Sequence, residues 1–257
     1  MKSTKDDDFN MSSLTNFQRL NKATTDEQDK EEEFILDGTK LYPSLSNVNH
    51  KYTFLGSLKE RFNVMLIHNV YDDAYANNLL KLLKRIKYNS DEESMIKIYG
   101  MKLKIPRKQV AFGNPDSNYH LSGTNVKAID WNKEDDSIQY MAGRELHDVC
   151  RYVETLSGGK YNYVLINRYI DGKHSIGWHS DDEKELGKYP LICGLSLGQE
   201  RQIYFRSNIT GKVKKVTLPH NSLFVMYYPT NSYWQHSIPK TSRPMTDRIS
   251  LTFRSVT

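Results

Sequence analysis

Tyr161-Asn162-Tyr163-Val164-Leu165-Ile166-Asn167-Arg168-Tyr169 is the stretch on which the fold turns. It is dense in aromatic and β-branched residues and reads as a strand. Everything after it has the same texture. Further strand-like runs at residues 191–197, 202–206, 213–218, 222–227 and 249–253 are separated by Gly, Pro, Asn and His turns. Before it the pattern is helical. Leu79, Leu80, Leu82, Leu83 and Ile86 form an apolar stripe that ends near Lys87, and Asp72-Asp73 stands ahead of it as a cap. A second helix is predicted over residues 134–156, with Ile138, Met141, Leu146, Val149, Val153 and Leu156 on one face. Gly158-Gly159 stops it. Residues 64–70 are rich in strand formers. Many short strands after two helices predict an α+β domain whose core, over residues 160–257, is a β-sandwich or jelly roll. No internal repeat is visible.

Composition bounds the function. With 38% hydrophobic and 26% charged residues, the 257-residue chain has the balance of a globular protein, and its longest apolar runs are far too short to span a bilayer. Lys2, Lys5 and three aspartates at the N-terminus, with no apolar run behind them, do not read as a secretory signal. Cys150 and Cys193 make no disulfide framework and lack zinc-type spacing, so a reducing compartment is expected. Residues 1–34 hold five Lys/Arg against nine Asp/Glu, a balance of −4 that leaves +9 for the rest of a chain whose total is +5. Such a basic body behind an acidic tail suits a polyanion-binding domain. Residues 1–50 are polar and aperiodic and are expected to form a disordered acidic tail, with the ordered domain over 51–257. Within the tail, Met11-Ser12-Ser13-Leu14-Thr15-Asn16-Phe17 reads either as a degenerate sliding-clamp-binding peptide or as a short apolar patch.

The chemistry concentrates in three places. His179-Ser180-Asp181 is followed much later by His236. On a strand, residues two apart share a face, and a later strand is expected to bring the third ligand across the sandwich. Two imidazoles and one carboxylate then leave three positions open on a metal, the geometry of non-haem iron(II) oxygenases. Asn167-Arg168-Tyr169 lies one strand upstream, and Arg248-Ile249-Ser250-Leu251-Thr252-Phe253-Arg254 lies near the C-terminus. Arg248, Ser250, Thr252 and Arg254 share a parity and therefore a strand face. Aimed into a sandwich, they need an anionic partner, and a dicarboxylate such as 2-oxoglutarate meets an arginine fork bidentately.

Taken together, the NRY strand, the HxD within SIGWHSDDE, WQHSIP and the terminal RxSLTFR closely resemble the AlkB family of oxidative demethylases. Similarity extends upstream to about Asn63. PTN before the distal histidine, VLINRY and PRKQ look most like the eukaryotic branch that repairs double-stranded DNA. The resemblance implies a double-stranded β-helix core, two supporting helices and a nucleotide-recognition lid over residues 95–130. It implies Fe(II) held by His179, Asp181 and His236, with 2-oxoglutarate and O2 as cosubstrates. Asn167, Tyr169, Arg248, Ser250, Thr252 and Arg254 would hold 2-oxoglutarate, Ser250 standing where many relatives have Asn. Asp182 and Glu183 match acidic residues placed beside the flipped base, and Arg107, Tyr119, Leu121 and Ser122 match the base pocket. Ile98-Tyr99-Gly100 matches an apolar finger that fills the vacated gap in a duplex, or is a plain hairpin. Lys240 and Arg243 are candidate phosphate contacts. The implied activity is repair of 1-methyladenine and 3-methylcytosine in DNA with formaldehyde, succinate and CO2 as products. Single-stranded DNA or RNA is the alternative substrate, and a non-catalytic nucleic-acid binder on the same fold is the other-class alternative. A nuclear monomer with no membrane partner is expected.

Overall fold

The computed structural model describes residues 32–37, 48–98, 101–115, 117–121, 124–243 and 245–257. In chain order the N-terminal half runs β1 (Glu32–Asp37), β2 (Asn49–Ser57), β3 (Phe62–His68), α1 (Asp73–Arg85), β4 (Met95–Ile98), β5 (Met101–Lys104) and β6 (Lys108–Gly113). It continues with β7 (Asn118–Leu121), β8 (Thr124–Lys127), β9 (Ile129–Asp130) and α2 (Ile138–Ser157). The C-terminal half is β10 (Tyr163–Tyr169), β11 (Ile176–His179), β12 (Ile192–Gly198), β13 (Arg201–Ser207), β14 (Val213–Leu218), β15 (Ser222–Met226), α3 (Thr230–Tyr233), β16 (Trp234–Ile238) and β17 (Arg248–Arg254).

Two sheets form a sandwich. The larger is ordered β1-β2-β3-β15-β12-β17-β10-β6-β9 and the smaller β11-β16-β13-β14. From β10 onward the chain crosses between them at every step except the β13–β14 hairpin. β10, β12, β15 and β17 lie in the large sheet; β11, β13, β14 and β16 lie in the small one. Crossing back and forth in this way winds the last eight strands into the double-stranded β-helix, or jelly roll, expected from the sequence.

Side-chain alternation decides what each layer does. Along β17, Ile249, Leu251 and Phe253 turn outward to pack beneath the helices, with Leu79 and Leu83 of α1 and Leu146, Val149 and Val153 of α2. The opposite parity, Arg248, Ser250, Thr252 and Arg254, turns into the sandwich. β10 divides the same way: Val164 and Ile166 face the helices, while Leu165, Asn167 and Tyr169 face inward. The sandwich interior is closed by Phe62, Phe205, Phe224, Trp234 and Ile203. A polar site therefore sits between two apolar layers.

Both helices keep their expected caps with shifted ends. The Asp72 side chain accepts from the Tyr75 N–H at the start of α1, and α2 ends on Gly158 in the left-handed conformation, φ 75°. α2 begins at Ile138, four residues later than the spacing predicts, because the Asp135 side chain accepts from the Ser137 N–H in a local turn that competes with helix. The ordered part also begins before Lys51. Strand β1 pairs along β2, and His50 is buried, its ring nitrogens meeting Asn69 O and the Tyr152 hydroxyl. The region expected as a continuous lid is divided: hairpins β4–β5 and β7–β8 flank β6, which is hydrogen-bonded to β10 inside the large sheet. The clamp-like residues 11–17, together with Tyr99, Gly100 and Ser122, lie outside the described residues, as do the side chains of Ile98 and Leu121. Among the described residues no helix is long and apolar enough to cross a membrane.

One turn residue ties the sheet to the first helix. Asn221, at φ 60° between β14 and β15, accepts from the Tyr71 N–H through its side-chain oxygen and donates to the Tyr71 carbonyl through its amide. Its own N–H bonds Ser196 and its carbonyl receives Val70 N–H. Asn221→Ala is expected to cost about 2–4 kcal/mol in equilibrium urea unfolding, from two lost buried hydrogen bonds and a left-handed backbone without Asn's tolerance for it.

Candidate active site

β11 and β16 are neighbours in the small sheet, and their register sets His179 opposite His236. The two rings approach to 4.2 Å between centroids. The third ligand is reached differently from the expectation. β11 ends at His179, so Asp181 stands beyond the strand rather than on its shared face, and His236 comes from the adjacent strand rather than from across the sandwich. What aims Asp181 is Asn231 in α3. The Asn231 carbonyl oxygen accepts from the Asp181 N–H at 3.0 Å, and the Asn231 amide donates to the Asp181 carbonyl. This two-way clamp replaces strand geometry. Ligand atoms of His179, Asp181 and His236 lie within 4.8 Å of one another, so the three are able to hold one metal ion.

Protonation suits that use. His179 Nδ1 sits 2.9 Å from the Gly177 carbonyl, which selects the Nδ1–H tautomer and leaves Nε2 for a metal. Burial pushes His236 down to about 3, helped by the neighbouring His179, so its ring is neutral and one ring nitrogen keeps a lone pair for a metal. Asp181 is 1% exposed, and burial opposes its charge. The Arg254 guanidinium at 2.7 Å and the two histidines nonetheless hold it well below the usual carboxylate range. A carboxylate held in its charged form and two neutral imidazoles converging on one point are the donor set of a divalent-metal site.

A cleft opens beside the triad. Asn167, Tyr169, Arg248, Ser250, Thr252 and Arg254 line it, as the parity of β10 and β17 requires. Arg248 is fully enclosed, and burial pushes its guanidinium down to about 10. Its Nη2 donates to Ser196 Oγ at 2.9 Å, and its guanidinium lies over the Tyr169 ring at 5.2 Å. Nε and Nη1 of both Arg248 and Arg254 are buried without an acceptor among the described residues. Four such donors cost several kcal/mol unless an anion meets them.

Arg107 joins this cleft. Its Nε donates to Asn167 Oδ1 at 2.8 Å, and the Gln109 amide lies 2.7 Å from the same oxygen. Tyr119 is fully buried behind Arg254, whose guanidinium lies 4.9 Å from its ring centre. Asp182 is exposed, whereas Glu183 is half-buried facing the Tyr119 hydroxyl, and burial raises its carboxyl. Lys240 and Arg243 are exposed on the loop between β16 and β17. That loop is anchored by Thr241 N–H to Gly172 O, and by Arg201, which donates to the carbonyls of Asp171, His174 and Pro239.

Sequence reasoning missed Asn231, Ser196 and Arg201. PTN was a visible motif carrying Asn231, but its role depends on α3 folding against residue 181. Ser196 and Arg201 carry no local signal.

Residues 63–254 match the 2OG-Fe(II) oxygenase superfamily. DNA oxidative demethylase ALKBH2 of Bos taurus is 33% identical over 184 residues, covering 68% of this chain and 62% of that protein. The Mus musculus protein of that name is 31% identical over 196 residues, covering 73% and 77%. Alpha-ketoglutarate-dependent dioxygenase alkB homolog 3 of Bos taurus is 37% identical over 113 residues, 40% of each chain. Among solved structures, that of OsALKBH1 aligns with a TM-score of 0.47 at 15% identity, over 74% of this chain and 97% of that one. The matched part of this chain thus spans a little under two thirds of the bovine ALKBH2 it resembles.

Asn231→Ala is expected to weaken divalent-metal affinity about 10- to 100-fold without unfolding the sandwich, the usual cost of losing a group that orients a ligand. Calorimetric titration with Mn(II) measures it, and an unchanged affinity would mean that Asp181 is aimed by something else.

Proposed function

We propose that this chain, which belongs to the 2OG-Fe(II) oxygenase superfamily, is an iron(II)- and 2-oxoglutarate-dependent dioxygenase that demethylates 1-methyladenine and 3-methylcytosine in DNA. The observation that carries the reading is one cleft holding both a His-Asp-His triad and two buried arginines with unpartnered donors. The donor sets fit the groups. Two neutral imidazoles and a carboxylate suit iron(II) and leave coordination positions open. Buried guanidinium donors suit the carboxylates of a dicarboxylic acid. The name DNA oxidative demethylase borne by the ALKBH2 relatives supports the substrate class.

Bound there, iron(II) with 2-oxoglutarate and O2 would supply the oxidising power to hydroxylate an N-methyl carbon, to be lost as formaldehyde alongside succinate and CO2. The protein's own part is placement. His179, Asp181 and His236 would hold the metal, with the Gly177 carbonyl fixing one ring and Arg254 keeping the carboxylate charged. Arg248, steadied by Ser196 and Tyr169, binds one carboxylate of 2-oxoglutarate, and Asn167, Ser250 and Thr252 orient the rest. Glu183 and Asp182 meet the positive charge that methylation puts on the ring. A carboxylate already desolvated at Glu183 gains more from that cation than one in water. Lys240 and Arg243 bind backbone phosphates while the base is extruded from its stack. Double-stranded DNA in the nucleus is the proposed setting, with the protein as a monomer and residues 11–17 as a candidate sliding-clamp contact.

Succinate and formaldehyde release should require a methylated oligonucleotide, and matched single- and double-stranded forms rank the substrates. Faster turnover on single strands would move the substrate to unpaired DNA or RNA, and no formaldehyde from either would leave a non-catalytic binder. His179→Ala and Asp181→Ala are expected to reduce turnover to background while DNA binding persists; full activity with iron and 2-oxoglutarate supplied would sink the ligand assignment. Arg248→Ala should raise the KM for 2-oxoglutarate about 10- to 100-fold, the cost of one or two charge-assisted hydrogen bonds.

A further inference from the structure

The small sheet has a second face. Its inner side carries Phe205 and His236, a cross-strand pair facing the sandwich core and the cleft. Alternation therefore sends the neighbouring pairs, Arg206 with Gln235 and Tyr204 with Lys215, outward. Trp178, on the residue before the ligand His179, points outward from β11 beside them.

These outward residues form two cation–aromatic pairs. The Arg206 guanidinium lies 4.6 Å from the centre of the Trp178 ring, and its Nη2 donates to Gln235 Oε1 at 2.7 Å. The Lys215 Nζ lies 4.9 Å from the centre of the Tyr204 ring. No Asp or Glu occurs anywhere in β11, β13, β14 or β16. The sheet's other lysine, Lys214, has the opposite parity, paired with Phe205, and is engaged by Glu60. Trp178 also differs from the other tryptophans. It is 36% exposed, whereas Trp131 and Trp234 are each 1% exposed. An indole held at the surface under a guanidinium, on strands free of acids, combines a stacking surface with positive charge that no acid among the described residues pairs.

We propose that this outer face is a binding platform for an unpaired nucleic-acid strand, with bases stacking on Trp178 and Tyr204 and phosphates meeting Arg206 and Lys215. The chemistry is that of single-strand binding surfaces, where π faces accept any base and basic side chains follow the backbone. Charge complementarity favours a polyanion, and the two aromatic rings favour one that carries bases. The platform rests on the nucleic-acid part of the proposed function and not on its oxidation chemistry. Because Trp178 directly precedes His179, a strand lying there flanks the metal-binding triad.

Tryptophan fluorescence tests this in the full chain, since a strand stacked on this face reaches only one of the three tryptophans. Titration with unmodified oligodeoxythymidine should give saturable quenching, and Trp178→Phe should abolish it. Arg206→Glu with Lys215→Glu should weaken binding about tenfold and lower the slope of log affinity against log salt by about two. Arg206→Gln with Lys215→Gln serves as the milder version if the charge reversal disturbs folding. Quenching that survives Trp178→Phe, or oligonucleotide affinity unchanged in both double variants, would overturn the platform. Inorganic polyphosphate that quenches Trp178 as strongly as the oligonucleotide would overturn the stacking. Quenching without succinate formation would leave the platform standing and remove the dioxygenase reading; succinate formation without quenching would do the reverse.

Discussion

The buried pair between Asp181 and Arg254 is the interaction on which the site depends. Both side chains are almost fully enclosed, at 1% and 4% exposure, and they meet at 2.7 Å. One comes from the segment after a small-sheet strand and the other from the end of a large-sheet strand, so the contact joins the two layers at the point where a metal would sit. Burial of either charge alone would be strongly unfavourable. Together they fix the carboxylate in its ionised form, and Tyr119 behind the guanidinium and Asn231 behind the aspartate leave neither partner free to turn away. A metal ligand that is already charged and already aimed costs little to recruit.

The same economy runs along β17. One strand supplies the apolar underside for the helices and the polar lining of the cleft, because its two faces belong to different layers. Moving the register by one residue would bury Ile249, Leu251 and Phe253 in the site and drive two arginines against α1 and α2. Pairing with β10 on one side and β12 on the other prevents that slip. The arginines are thus held in place by the hydrophobic packing of their neighbours.

Around the cleft, irregular segments do the work that strands cannot. Arg201 gathers three carbonyls from the loops at residues 171–174 and 239, and the left-handed Asn221 clips the chain just before α1. Loops so tied can present Lys240 and Arg243 in a fixed direction while remaining on the surface. On the other side of the small sheet, Trp178 and Arg206 show that the strand carrying a metal ligand inward also carries an aromatic group outward.

The sequence by itself determined the strand-rich C-terminal half, both helices and the parity of Arg248, Ser250, Thr252 and Arg254, because these follow from periodicity and local capping. It also marked His179, Asp181 and His236, through spacing and an ordered set of motifs. Tertiary structure alone decided that His236 neighbours His179 within one sheet, that Asp181 is aimed by Asn231 from beyond the strand end, and that β6 belongs to the core. It also put Tyr119 behind Arg254 and brought Ser196 and Arg201 into the site's support. Each of these contacts joins residues far apart in the chain, and side-chain alternation says which face a residue takes but not which strand lies beside it. That second choice was made by the winding of eight strands between two sheets.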